Sequence, residues 1–533
     1  MSVIFALIVS VAAITALGVP VSTCLSVRRS TRMAAAPVFG TAVVVILCSA
    51  LYPIGVPLAL IAVGLGLSAC CVVSWYSYQA FQRRLLSRSA LVEYLPLLAY
   101  GAFLVLVTLV ASPNWSVFQG NHWDHLTYES SAIAYASHSY STVLTTTPAG
   151  ALSNPLLLIA EATIKQRPAV MYAYALFSNI PAFSLYRDGY VFLLACDFLI
   201  FSSVYFVARN FISKSSRAHI LLPSAIAVAA AAGFYGQLAF DINAWSAFLA
   251  TPMLTVGAWC VVTQFLRRPE KTQTSIREPL IVGMLLAAAF VVYPEGAAVF
   301  GASLVLTGLA AFILRPGLRS WGFPYSLWTC GSATITVLVC QGQSLIEFLA
   351  SQYQSPSGQA PTWWMYFDQF MFGYDPRFLD AISRGISPNA AATSFGISLP
   401  HYILSASDAL LIGIFGAFFL NDSPFGEVNL SVVLSLVTAS VWLIGIGVWL
   451  FRMLKSTKKS RHLSFVLFLV IFLTLNLSFV IRHEYWAAGK ILLWISPLLV
   501  VALCSPLLLY RSNSRAPRIL VPIPLVWLLL QLG

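Results

Sequence analysis

A chain of 533 residues that is 59% apolar and only 9% charged, with a mean hydropathy of +0.83, is excluded from the ordinary soluble class, where about a quarter of residues are charged. Its apolar residues fall in repeated runs of about 20, the length a helix needs to cross the hydrocarbon core, which predicts an all-α polytopic membrane protein rather than a barrel of short alternating strands. The net charge of +12 then bears on orientation in the bilayer, and no nucleic-acid partner is expected.

The first apolar run, 3–24, has spanning length and is followed by Arg28, Arg29 and Arg32, so it reads as a true first span with no removable signal. Further spans are expected at 34–52, 56–79, 91–111, 189–208, 219–238, 245–265, 279–297, 298–314, 323–341, 431–451, 463–481, 490–510 and 518–532, about fourteen crossings in all. Seven clusters, at 28–32, 83–88, 209–217, 267–277, 315–319, 452–461 and 511–518, hold 23 of the 30 basic residues and mark the cytoplasmic loops. Both termini then lie outside. A crossing at the apolar run 402–420 would put the Lys455, Lys458, Lys459, Arg461 cluster outside, so that run is expected to be re-entrant or surface-bound. The nine cysteines lie in or at the ends of apolar runs without C-x-x-C spacing, which predicts neither a disulfide framework nor a structural zinc site.

Two external connections are long, 112–188 and 342–430, and long ordered connections carry function. In the first, 123–140, 155–164 and 168–183 predict short helices lying along the membrane surface, two of them opened by proline. The expected organisation is a three-span addition (1–90), a catalytic-type membrane module (91–341) containing the loop 112–188, a second external loop (342–430) and a four-span C-terminal segment (431–533).

Three constellations carry candidate chemistry. In Gly120-Asn121-His122-Trp123-Asp124-His125-Leu126-Thr127-Tyr128-Glu129, a helix starting near Trp123 would place Asp124, Tyr128, Ser131, Tyr135 and His138 on one side. A carboxylate there can take a proton from an acceptor hydroxyl, and it can equally be a helix cap. His122, Asp124 and His125 look like metal ligands, but their spacing is no zinc signature and one helix would not turn all three the same way; a divalent metal is admitted without being favoured. Tyr293-Pro294-Glu295-Gly296 predicts a helix break that turns Glu295 inward, and Asp241 sits in a similar place beside Asn243 and Trp245; a plain polar turn is the alternative for both. Arg482, His483 and Lys490 lie on the acidic face against the positive-inside bias, which suits an anion such as a phosphate, as does Arg377; lipid headgroups or the local Glu484 and Asp375 would also satisfy them. No P-loop, G-x-S-x-G or H-E-x-x-H occurs, and no cytoplasmic connection has room for a nucleotide-binding domain.

The span 91–111, the loop 112–188 with its short helices and Asp124 near the start of the first helix together resemble the GT-C superfamily of integral-membrane glycosyltransferases. The resemblance covers residues 91–510 as topology. It implies a polyprenyl-phosphate-linked sugar donor, a glycan or lipid acceptor and a site on the outer face; a bacterial inner membrane is the expected setting, since no sorting motif or long eukaryotic tail is seen. Carried over, Asp124 is the catalytic base, with His122, His125, Tyr128, Asp241 and Glu295 binding substrate and Arg482, His483, Lys490 and Arg377 binding the lipid phosphate. No external D-x-D or E-x-D pair is present, which points to a metal-independent branch. An O-antigen-type polymerase or ligase and a lipid or solute transporter or flippase are the competing readings.

Overall fold

The computed structural model describes residues 2–27, 29–83, 88–111, 124–146, 154–164, 167–211, 220–231, 245–265, 276–314, 319–354, 460–481, 494–502 and 504. Among the described residues all regular structure is helical. In chain order the first helices are α1 (Ser2–Ser22), α2 (Arg29–Leu51), α3 (Leu58–Arg83) and α4 (Arg88–Ala111), followed by the short α5 (Asp124–Ser137), α6 (Tyr140–Leu144), α7 (Pro155–Ile164) and α8 (Ala169–Ala175). Then come α9 (Tyr190–Phe211), α10 (Leu221–Ala231), α11 (Trp245–Phe265), α12 (Arg277–Val292), α13 (Pro294–Leu314), α14 (Arg319–Gln354) and α15 (Ser460–Ile481). Seven of the described helices, α1, α2, α3, α9, α11, α13 and α14, are long and apolar enough to cross a bilayer. The chain is a polytopic α-helical membrane protein.

Burial sorts these helices. α9 is enclosed along its whole length and α11 nearly so, while α3 shows most of its surface to the surroundings. A helix apolar on every side can take either position, because lipid tails and neighbouring side chains are equally apolar partners. Close approach decides which helices pair. α1 and α2 cross where Gly18 meets Gly40: a Cβ on Gly18 would lie 1.7 Å from the Ala36 carbonyl oxygen, and one on Gly40 1.7 Å from that of Ile14. Only glycine permits that backbone contact.

Polar tethers assign helix ends to two faces. On one, Glu278 at the start of α12 accepts from the Ser26 amide (3.1 Å) and from Gln264 Nε2 (3.2 Å), joining the α1–α2 turn to the end of α11. On the other, the Tyr52 hydroxyl after α2 donates to the His138 carbonyl (2.9 Å), which ties that end to the short helices. We call the second the loop face. The ends meeting at each face match those that basic clustering groups together.

Two boundaries differ from expectation. The expected spans 279–297 and 298–314 break instead at Tyr293, because Pro294 has no amide hydrogen to continue α12 and serves as the first residue of α13. α14 runs on through Gln354, so the second long connection begins as a continuation of a span. The run 402–420 lies outside the described residues.

Candidate functional site

α5 opens at Asp124, with His125 as its second residue. Along the side expected to carry Asp124, Tyr128, Ser131, Tyr135 and His138, Ser131 and Tyr135 form a docking face. Ser131 and Tyr135 are buried against α7, where the Thr163 hydroxyl bonds Ser131 Oγ (2.9 Å) and the Tyr135 hydroxyl (2.7 Å), and Tyr135 also donates to the Ala160 carbonyl (2.9 Å). Tyr135, Tyr172 and Tyr52 pack edge to face beneath it, with ring centroids 4.9 to 6.0 Å apart. The Ser131, Tyr135 and Thr163 hydroxyls satisfy one another, so they fix α5 in place and are closed to a substrate.

Toward the start of α5 the same side meets the ends of longer helices. The Tyr128 ring stacks on Trp245 at the start of α11 (5.3 Å, 13°), and its hydroxyl accepts from Ser246 Oγ at 3.4 Å. Trp245 is fully enclosed and meets Tyr174 of α8 edge-on at 4.8 Å. Beside them Glu129 is 2% exposed, and its Oε1 has no hydrogen-bond partner. Burial pushes the Glu129 carboxyl up to about 8, so it is protonated at neutral pH. Gly189, just before α9, leaves the space: a Cβ there would sit 2.9 Å from Glu129 Oε1 and 3.2 Å from the Tyr174 hydroxyl.

The second half of the site gathers at the Tyr293 break. Arg167, preceding α8, donates from Nη1 to Glu295 Oε1 at 3.1 Å, and its guanidinium carbon stands 5.1 Å from the centre of the Tyr293 ring. Burial alone would disfavour the cation, but Tyr128, Glu295 and Tyr293 outweigh it and hold Arg167 above the ordinary arginine value. Glu295 is the carboxylate partner of this ion pair. Its second oxygen, Oε2, is enclosed without a partner. Tyr293 meets Trp494 edge-on at 4.9 Å, and Gly296 makes this approach possible, since a Cβ there would fall 2.9 Å from Tyr293 and 3.1 Å from Trp494. The Pro and Gly of Tyr293-Pro294-Glu295-Gly296 thus have separate tasks. Proline breaks the helix, and glycine admits the tryptophan.

Of the residues chosen from sequence, the structure brings Tyr128 and Glu295 to one neighbourhood around Arg167 and places Asp124 and His125 in the first turn of the helix that carries Tyr128. His122, Asp241, Arg377, Arg482, His483 and Lys490 lie outside the described residues. Arg167 and Glu129 were missed. The signal for Arg167 was available, because it is one of seven basic residues on the acidic face, the same anomaly that singled out Arg482. Glu129 had no signal, since nothing in the sequence says which of two neighbouring polar residues a helix buries. Among the described residues no group of three or more His, Cys, Asp or Glu side chains converges as a metal site.

The arrangement offers a held cation, a carboxylate with one spare oxygen and an aromatic surround, all at helix ends. Comparison with known proteins adds no relative: no family model matches the chain, and no curated protein or solved structure is similar to it.

Proposed function

We propose that the protein is a membrane glycosyltransferase of GT-C type that moves a sugar from a polyprenyl-phosphate donor to a glycan or lipid acceptor. In this reading the loop face is the outer, periplasmic side of a bacterial inner membrane, and the chain crosses about fourteen times. The observation that carries it is the Arg167–Glu295 pair at the Tyr293 break, beside the helix that begins at Asp124. A cation held among aromatic rings at a helix end suits a phosphate at headgroup depth, and a neighbouring carboxylate suits sugar or acceptor hydroxyls.

The reaction is a direct displacement. Asp124 takes the proton of an acceptor hydroxyl, whose oxygen attacks the anomeric carbon. The bond from that carbon to the phosphate oxygen breaks, and the lipid phosphate leaves with the electron pair. Arg167 offsets the charge growing on the leaving group, with Arg377, Arg482, His483 and Lys490 as the further cations of this reading; His122, His125, Tyr128, Asp241 and Glu295 hold the sugar and acceptor. A divalent metal is not required for this displacement. The test is transfer from a polyprenyl-phosphate sugar by the purified protein, with and without chelator. Asp124→Asn and Arg167→Gln are expected to lower kcat about 100-fold or more while the protein stays folded. Full activity in Asp124→Asn would refute the base and favour an O-antigen-type polymerase.

A transporter has one observation behind it. Asp197 is buried inside α9, accepts from the Tyr100 hydroxyl at 2.5 Å and has its Oδ1 unpartnered, and acids buried within spans often serve transport. If the protein is a transferase, Asp197→Asn keeps its activity, because the pair only ties α4 to α9.

A further inference from the structure

α5 is held at two places. Its far half is tied to α7 through Tyr135 and Thr163, while its first turns, which begin at Asp124, rest on Tyr128 and Glu129. Neighbours in a helix point about 100° apart, so these two side chains enter different places. Tyr128 stacks on Trp245 and is a neighbour of Arg167. Glu129 occupies the space beside Gly189, where a Cβ would lie 2.9 Å from Glu129 Oε1, 3.2 Å from the Tyr174 hydroxyl and 3.3 Å from the Trp245 ring. The two side chains share one turn, so neither leaves its place without moving the other.

The seat of Glu129 accepts an acid and disfavours its anion. Its wall is fixed: the Tyr174 hydroxyl donates to the Leu185 carbonyl, and Asp188 accepts from the Ser184 amide (2.9 Å) and pairs with Arg187 (2.9 Å). With its hydrogen committed to Leu185, the Tyr174 hydroxyl has none to offer, and Glu129 Oε1 is enclosed without a partner. A carboxylate oxygen enclosed without a donor is costly, and the neutral acid is much less so. The titratable and charged groups on the elements packed around it are Tyr174 of α8, Asp188 and Arg187 behind Tyr174, Glu161 of α7, which neighbours Tyr135, and Arg167, which neighbours Tyr128. Trp245 of α11 does not titrate. Burial keeps the proton on Glu129 up to about 8.

We propose that Glu129 is a positioning residue that seats the start of α5 against Trp245 and the Arg167 neighbourhood only as the neutral acid, so that raised pH releases Asp124 and Tyr128 together. That this release regulates an active site rests on the glycosyltransferase reading, but the release itself is measured without a donor. Hydrogen exchange of the full-length protein in nanodiscs is followed by mass spectrometry at pH 7 and pH 9 and corrected for the intrinsic dependence of exchange on pH. Protection of amides 128–130 is expected to fall about tenfold, because opening grows tenfold for each pH unit above the ionisation of the acid. Amides 133–136, beside the Tyr135 anchor, should keep theirs. Glu129→Gln is neutral at both pH values and should stay protected at pH 9. Gly189→Leu puts a side chain into the space that Glu129 uses and should show low protection of the same amides already at pH 7, with no further fall at pH 9. An equal fall in Glu129→Gln, no fall in the wild type, or full protection in Gly189→Leu at pH 7 would overturn the proposal. Release at pH 9 in a protein that transfers no sugar keeps the role of Glu129 and removes the enzyme reading. Transfer by a protein whose α5 exchange ignores pH does the reverse.

Discussion

Glu129 and Arg167 are opposite answers to the same cost. A buried charge is expensive unless something opposes it; Arg167 keeps its charge because Glu295 and the Tyr128 and Tyr293 phenols surround it, whereas burial governs Glu129, which keeps its proton. Tyr174, itself held neutral by burial, faces Glu129, and Asp188 is a further neighbour of Tyr174. Folded protein thus holds a proton on Glu129 up to about 8, and the unfolded chain releases it near the ordinary carboxylate value of 4.5. Between those values the native state binds the proton more tightly, so this contribution is complete below the lower value and is lost as pH rises through the higher one. Thermal unfolding should show a Tm that falls from about pH 5 to about pH 8, and Glu129→Gln should flatten that slope. An unchanged slope in the variant would assign the dependence to other groups. At this scale the sequence exposed what breaks a helix and little of what a helix buries: Pro294 and Gly296 announced the turn at Glu295, but Glu129 looked like one more surface acid.

Helices were legible wherever apolar length decided the matter. α11 falls on the expected 245–265, and α1, α2 and α9 lie within a few residues of expectation, because about 20 apolar residues are needed and suffice for a crossing. Ends and pairings were less legible, since a uniformly apolar surface does not say which neighbour it meets. The α1–α2 crossing depends on two glycines that hydropathy does not mark. Gly18→Leu should separate the helices and cost about 2 kcal/mol or more, measured as unfolding in detergent, because the obstructing atom is a backbone carbonyl that cannot rotate away. Gly64→Leu on α3, where a Cβ meets nothing within 4 Å, is the control and should be neutral. The docking face of α5 offers a milder case. Tyr135→Phe removes the hydroxyl that serves Thr163 and the Ala160 carbonyl, a loss of about 1–3 kcal/mol where a buried partner is left unsatisfied. If α5 were held by apolar contact alone, the change would be silent.

For the molecule as a whole, the sparse charges carry the organisation. The clusters that hold 23 of 30 basic residues divide the helix ends into two sets, and the tethers at Glu278 and at Tyr52 join ends within a set and never across. With the loop face outside, a membrane-impermeant maleimide added to intact cells should label Tyr186→Cys, which replaces an exposed side chain, while Ile276→Cys at the opposite face should need permeabilised cells. The reverse pattern would invert the topology and with it the position of the site. The proposed function rests on the company these charges keep, above all a cation beside a carboxylate at a helix break. The most direct measurement is sugar release from a panel of donors by the purified protein, comparing a polyprenyl monophosphate sugar, a polyprenyl diphosphate sugar and a nucleotide sugar. Turnover of the monophosphate-linked donor is expected, with free polyprenyl phosphate as the product and loss of that turnover in Arg167→Gln. Turnover of the nucleotide sugar, or of no donor while the reconstituted protein moves lipid or solute across the bilayer, would contradict it.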